Sequence, residues 1–146
     1  MASRLTWLKT HYRWCYPLAI AAAVVFGSSR SEIAGPAVVG FDKVAHFGAF
    51  GLLATAAYRL VPRRAGIWVV LAVSLFGASD EWHQSFTAGR SVELADWIAD
   101  TSGAAVAVLA YGLWQWYRNL LEYKVLYSKR ARRVEKMPPA ESTGGL

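Results

Sequence analysis

The sequence predicts an all-α protein: an integral membrane four-helix transmembrane bundle followed by a basic C-terminal juxtamembrane helix. Three observations predict it. First, 55% of the 146 residues are hydrophobic and only 18% charged, with apolar stretches at residues 14–29, 43–61, 66–86 and 93–117. The third stretch holds 21 residues, which at ~1.5 Å per residue makes ~31 Å of helix, enough to cross a hydrocarbon core. A soluble bundle would need polar outward faces that these stretches lack. Second, thirteen of the sixteen basic residues fall in three places: Arg4, Lys9 and Arg13; Arg59, Arg63 and Arg64; and seven from Arg118 to Lys136. These places alternate with the other loops, so the positive-inside rule puts both termini and the second loop in the cytoplasm. Third, the opposite side carries seven of the ten acids, Glu32, Asp42, Asp80, Glu81, Glu93, Asp96 and Asp100. The net charge of +6 therefore records orientation in a membrane, and nucleic acid is not an expected partner.

The elements follow in order. Residues 1–117 read as one transmembrane domain, 118–136 as a basic cytoplasmic juxtamembrane segment and 137–146 as a disordered tail. Arg4, Lys9 and Arg13 precede a short apolar run that ends in Gly27, Ser28 and Ser29, a pattern shared with signal peptides. An uncleaved helix is the expectation, because three helices would bury the many later acids poorly. Pro17 falls in its first turn, where proline is tolerated. Gly35, Pro36 and Gly40 mark an outer loop, and Asp42 then reads as the N-cap of the second helix. Pro62 to Gly66 makes a tight inner turn, so the second and third helices are antiparallel neighbours. The third helix exits through Phe86 and the chain returns at Gly89. In the fourth helix Ala95, Ala99, Gly103 and Ala107 form a small-residue ridge that admits a neighbouring backbone. Past residue 117, basic residues interleave with Leu120, Leu121, Tyr123, Val125, Leu126 and Tyr127, a composition suited to anionic membrane lipid. Cys15 is alone, so no internal disulfide is possible.

The chemistry concentrates between residues 77 and 103. A nearly charge-free run meets Asp80, Glu81, His83 and Gln84; a turn through Gly89 and Arg90 follows, and then come Asp96 and Asp100. Acids four apart share one helix face, and ionisable groups in apolar helices are costly unless they face a partner or a watery cavity. His46 lies one turn beyond Asp42 on the same face. Topology brings Asp42, His46, Asp80, Glu81, Gln84, Arg90, Asp96 and Asp100 to the outer ~10 Å of the bundle, and these are the candidate site residues. Each has a structural use: Asp42 as a cap, His46 hydrogen-bonded to Asp42, Arg90 paired with Glu81 or Asp96, Gln84 on a backbone group, Glu93 and His83 at the rim. Together they exceed what a structural bundle needs, since buried charge clusters rarely add net stability. No CxxC, HExxH or P-loop is present. Asp80-Glu81-Trp82-His83 matches the DExH string, but no Gly-rich phosphate loop accompanies it.

These residues also form a familiar series. Asp42-Lys43-x-x-His46, Asp80-Glu81-x-His83-Gln84, Gly89-Arg90 and Asp96-x-x-Ala99-Asp100-Thr101-x-Gly103 resemble the VanZ-like family of small bacterial integral membrane proteins, named for a protein associated with resistance to the glycopeptide teicoplanin. The similarity runs from about Asp42 to Ala110. Two positions depart from the pattern: Ala88 stands where members often have proline, and Asp100 where many have asparagine. The resemblance implies a multi-pass protein of the bacterial cytoplasmic membrane with a role in the cell envelope or in glycopeptide resistance. It implies no settled reaction and names no cofactor.

Three functions fit. In the first, the outer pocket binds an envelope ligand such as a lipid-linked cell-wall precursor or a glycopeptide, Arg90 and Lys43 suiting its carboxylate or phosphate and the acids its amine. In the second, the protein is an outer-face enzyme acting on a lipid-linked phosphate. Neighbouring carboxylates then divide acid and base roles, and His46 transfers a proton. A divalent metal held among His46, Asp80, Glu81, Asp96 and Asp100 would serve this reading, although no spacing is a dedicated metal signature. In the third, the cluster locks the helices of an assembly factor. Membrane lipids are partners in all three.

Overall fold

The computed structural model of the chain describes residues 12–29, 40–87 and 92–122, and among these every regular element is helical. Four α-helices run as α1 (Cys15–Ser28), α2 (Phe41–Tyr58), α3 (Gly66–Gln84) and α4 (Leu94–Leu113). A short fifth helix, α5, covers residues 115–122. Turns of 3-10 helix at Tyr12–Trp14 and Arg63–Ala65 lead into α1 and α3. The chain divides into two compact units, residues 1–113 and 114–146.

In the first unit α2 packs most extensively on α4, α4 also packs on α3, and α1 lies mainly against α2. The small residues make this possible. A Cβ added to Gly103 would collide with the carbonyl oxygen of Phe47, and one on Gly51 would lie 3.2 Å from the Gly103 carbonyl oxygen. The α2 and α4 backbones therefore touch at a crossing that a side chain on Gly103 would prevent. The apolar core runs through Phe50, Leu53, Ala54, Tyr58, Val69, Val73, Ala104, Val108 and Tyr111, all buried. Its lower end is tied by the Tyr58 hydroxyl, which donates to the Arg63 carbonyl (2.8 Å) and packs edge-on against Tyr111.

Two expectations are corrected. The N-cap of α2 is Gly40, in the left-handed region at φ 84°, and no side chain caps the helix. Asp42 instead sits in the first turn, its carboxylate drawn away by the Lys43 ammonium at 2.6 Å. The fourth helix ends at Leu113 rather than at 117. Arg63 Nη2 donates to the Gly112 carbonyl at 2.8 Å, so a carbonyl in the last turn is engaged by the α2–α3 turn.

Helix α3 with its leading turn, Arg63–Gln84, is the one stretch of the described residues that is long and apolar enough to cross a membrane. Helix α1, with 14 residues, reaches only ~21 Å. In the second unit Trp114 and Trp116 stack, and Arg118 bonds to Gln115. Arg4, Lys9, residues 30–39 and 123–146, with most of the basic segment and the whole tail, lie outside the described residues.

Candidate functional site

Alternating helix direction decides where the polar groups meet. Ser28 closes α1, Asp42, Lys43 and His46 open α2, Asp80, Glu81 and Gln84 finish α3, and Asp96 and Asp100 begin α4. All belong to one end of the bundle. Asp80, Glu81, Gln84, Asp96 and Asp100 are between 0% and 5% exposed, whereas aliphatic and aromatic side chains such as Val44, Leu52, Trp68, Leu75 and Leu109 point outward.

Three polar assemblies are built from these groups. At the rim, Lys43 Nζ lies 2.6 Å from Asp42 Oδ2, 2.6 Å from Glu93 Oε2 and 2.9 Å from Asp96 Oδ1. One ammonium thus clamps the start of α2 to the start of α4, and its hydrogen bond holds the exposed Asp42 carboxyl below the usual carboxylate range. Deeper in, His46 Nδ1 lies 2.9 Å from Asp100 Oδ1, and Nε2 is 3.9 Å from Asp96 Oδ2. The imidazole stacks over Phe50, which is 1% exposed and forms an apolar floor with Phe76. Asp100 packs against α3 where that helix has no side chain: a Cβ on Gly77 would lie 2.8 Å from Asp100 Oδ2. Thirdly, Asp80 Oδ2 accepts from the Ser28 hydroxyl (2.7 Å) and from Gln84 Nε2 (3.0 Å), which joins α1 to α3.

Glu81 stands between the assemblies. Its Oε2 accepts the backbone N–H of Glu93 at 2.8 Å, tying the end of α3 to the entry of α4. Four carboxylate oxygens here are buried without a hydrogen-bond partner among the described residues, Asp80 Oδ1, Glu81 Oε1, Asp96 Oδ1 and Asp100 Oδ2, though Asp96 Oδ1 has the charge of Lys43 beside it. Among the described residues of this end, six acids face one lysine and two histidines, the second being His83 at 3.0 Å from the Ser29 hydroxyl. Two sets of side chains offer ligand atoms within 4.8 Å of one another, His46 with Glu81 and Asp100, and Asp42 with Glu93 and Asp96.

Beside the cluster runs a groove of about 390 Å³ between α1, α2 and α3. Ile20, Ala23, Val24, Ala45, Ala49 and Leu52 give it apolar walls, while Ser28, His46, Asp80 and Gln84 make its end polar. From Ile20 to Ser28 it spans ~12 Å of α1.

The structure thus brings seven of the eight candidate residues to one end. Arg90 lies outside the described residues, and with it the expected pairing to Glu81 or Asp96; among the described residues Glu81 accepts the Glu93 N–H and Asp96 lies beside Lys43. His46 is oriented by Asp100 and not by Asp42. Asp42 is a half-exposed rim residue. Sequence reasoning missed Ser28, whose only signal was a small polar residue closing an apolar helix. Glu93 sits at the rim as expected, where its carboxylate also anchors Lys43 and its backbone N–H donates to Glu81.

A helical bundle with aliphatic side chains outside and carboxylates, an imidazole and an amide gathered inside one end defines an all-α protein with a buried polar site. A family model described as VanZ/LLP1 matches residues 3–115, and the chain belongs to that family. No curated protein and no solved structure matches the chain.

Proposed function

We propose that this VanZ-like protein crosses the bacterial cytoplasmic membrane four times with both termini in the cytoplasm, and that its polar pocket faces outward and binds an amphiphilic cell-envelope component. The carrying observation is the groove whose apolar walls lead to Ser28, His46, Asp80 and Gln84. Such a channel suits a molecule with a hydrocarbon tail and a polar headgroup, as in a lipid-linked cell-wall precursor. The burial pattern supports the membrane setting: outward Leu52, Leu71, Leu75, Val106 and Leu109 are more than half exposed, while Asp80, Glu81, Asp96 and Asp100 are buried. The basic turn at Arg59, Arg63 and Arg64 lies at the end away from the pocket, as cytoplasmic loops do. Because the family match begins at residue 3, the first helix belongs with the domain, which favours an uncleaved anchor. A link to glycopeptide resistance follows from the family name alone, through binding, shielding or altering a surface component.

The test uses the purified full chain in lipid nanodiscs with a lipid-linked wall precursor and, separately, plain phospholipid. Wild type should bind the precursor and not the phospholipid. Asp80→Asn and His46→Ala should stay helical and lose at least tenfold in affinity, about 1.4 kcal/mol. Equal affinity for precursor and phospholipid would contradict the reading. Conversion of the precursor to product would make the same site catalytic.

A further inference from the structure

The geometry points to a divalent metal site formed by His46, Glu81 and Asp100. These side chains come from α2, α3 and α4, and each offers a ligand atom within 4.8 Å of the other two. His46 Nδ1 and Asp100 Oδ1 stand 2.9 Å apart, the separation of two neighbouring ligands at about a right angle around an ion with ~2.1 Å bonds. Glu81 and Asp100 are 3% and 0% exposed, and each keeps one carboxylate oxygen without a hydrogen-bond partner among the described residues. Two carboxylates buried this way are costly as bare anions. A divalent ion removes that cost, because two carboxylates and a neutral imidazole balance its charge.

The neighbouring groups do not compete for the role. Asp42, Glu93 and Asp96 form the other close acidic set, but the Lys43 ammonium already sits among them at 2.6, 2.6 and 2.9 Å. Asp80 also keeps a bare oxygen, Oδ1, but it is not among the side chains whose ligand atoms converge within 4.8 Å with those of His46, Glu81 and Asp100. One nitrogen and two carboxylate oxygens suit Zn²⁺ or Mn²⁺ better than Ca²⁺, which takes six to eight oxygens. Three protein ligands leave a coordination position for water or a ligand oxygen, and His46 also lines the groove. An ion there would meet the phosphate of a lipid-linked headgroup, and only this last step rests on the proposed function.

The experiment is metal binding by the full chain in nanodiscs without any envelope ligand. After chelator treatment the protein is equilibrated with Zn²⁺, Mn²⁺ or Mg²⁺, and stoichiometry and affinity are read by elemental analysis and calorimetry. One equivalent of Zn²⁺ or Mn²⁺ per chain is expected. Glu81→Gln and His46→Asn should each weaken binding at least tenfold, and Glu122→Gln, in the second unit, should leave it unchanged. Wild type loaded with Co²⁺ gives an absorption spectrum that reports nitrogen ligation, which keeps the test decisive if a variant fails to fold. No stoichiometric metal, wild-type affinity in Glu81→Gln, or a cobalt spectrum without nitrogen ligation would each overturn the site. Precursor binding without metal overturns this inference alone, whereas metal binding without precursor binding overturns the proposed function alone.

Discussion

Asp100 shows how narrowly one residue is held. It is fully buried, its Oδ1 is 2.9 Å from His46, and its other face rests on α3 at Gly77. Alanine at position 77 would put a methyl group 2.8 Å from Asp100 Oδ2 and 3.3 Å from a Phe50 ring carbon, so the carboxylate must move. Gly77→Ala is therefore expected to destabilise the fold by about 1–3 kcal/mol and to disturb the His46 pairing, read by thermal unfolding and by the histidine NMR resonances. An unchanged imidazole environment in the variant would contradict that packing. At this scale the sequence was informative where local spacing carries meaning. Asp96 and Asp100, one turn apart beside a small-residue ridge, were placed inward, and they are inward. Partners distant in sequence were not legible: Asp42 beside His46 suggested a local pair, but the imidazole found Asp100, 54 residues away. Ser28 reached Asp80 across 52 residues in the same way.

Among the elements, the α2–α4 contact decides whether the site forms. It is closed at one end by Lys43 and at its middle by Gly103 against Phe47. Lys43→Met would leave Asp42, Glu93 and Asp96 facing one another without their ammonium. Two of these are about half exposed, so solvent screens much of the repulsion; the loss should be ~1–2 kcal/mol, carried mostly by buried Asp96. Adding Asp96→Asn should restore part of it, and a double-mutant cycle on unfolding midpoints measures the coupling. Additive effects would remove Lys43 from its clamping role. Helix number and order were readable because apolar runs and turn residues are strong local signals. Helix ends were less so. At the Leu113 end Arg63 reaches the Gly112 carbonyl, a contact that no local pattern announces, and the Gly40 cap displaced Asp42 from an otherwise apt position.

For the whole molecule, the order of burial supports the proposal most strongly. Among the described residues Asp80, Glu81, Asp96 and Asp100 are buried while many aliphatic side chains are exposed, a distribution that suits lipid better than water. This arrangement was anticipated from charge segregation and the spacing of apolar runs. The groove was not, since it depends on how α1 leans on α2 and α3 and on the small side chains of Ala23, Ala45 and Ala49 that leave it open.

The central claim is that an envelope amphiphile occupies that groove with its headgroup against the buried acids. A photo-crosslinking amino acid at Ala49, inside the groove, and at Leu75, 72% exposed on the opposite helix surface, tests it in nanodiscs containing a lipid-linked wall precursor among excess phospholipid. Precursor captured at position 49 and not at 75, with capture lost in Asp80→Asn, is the predicted result. Phospholipid captured equally at both positions, with no enrichment of precursor, would contradict the account.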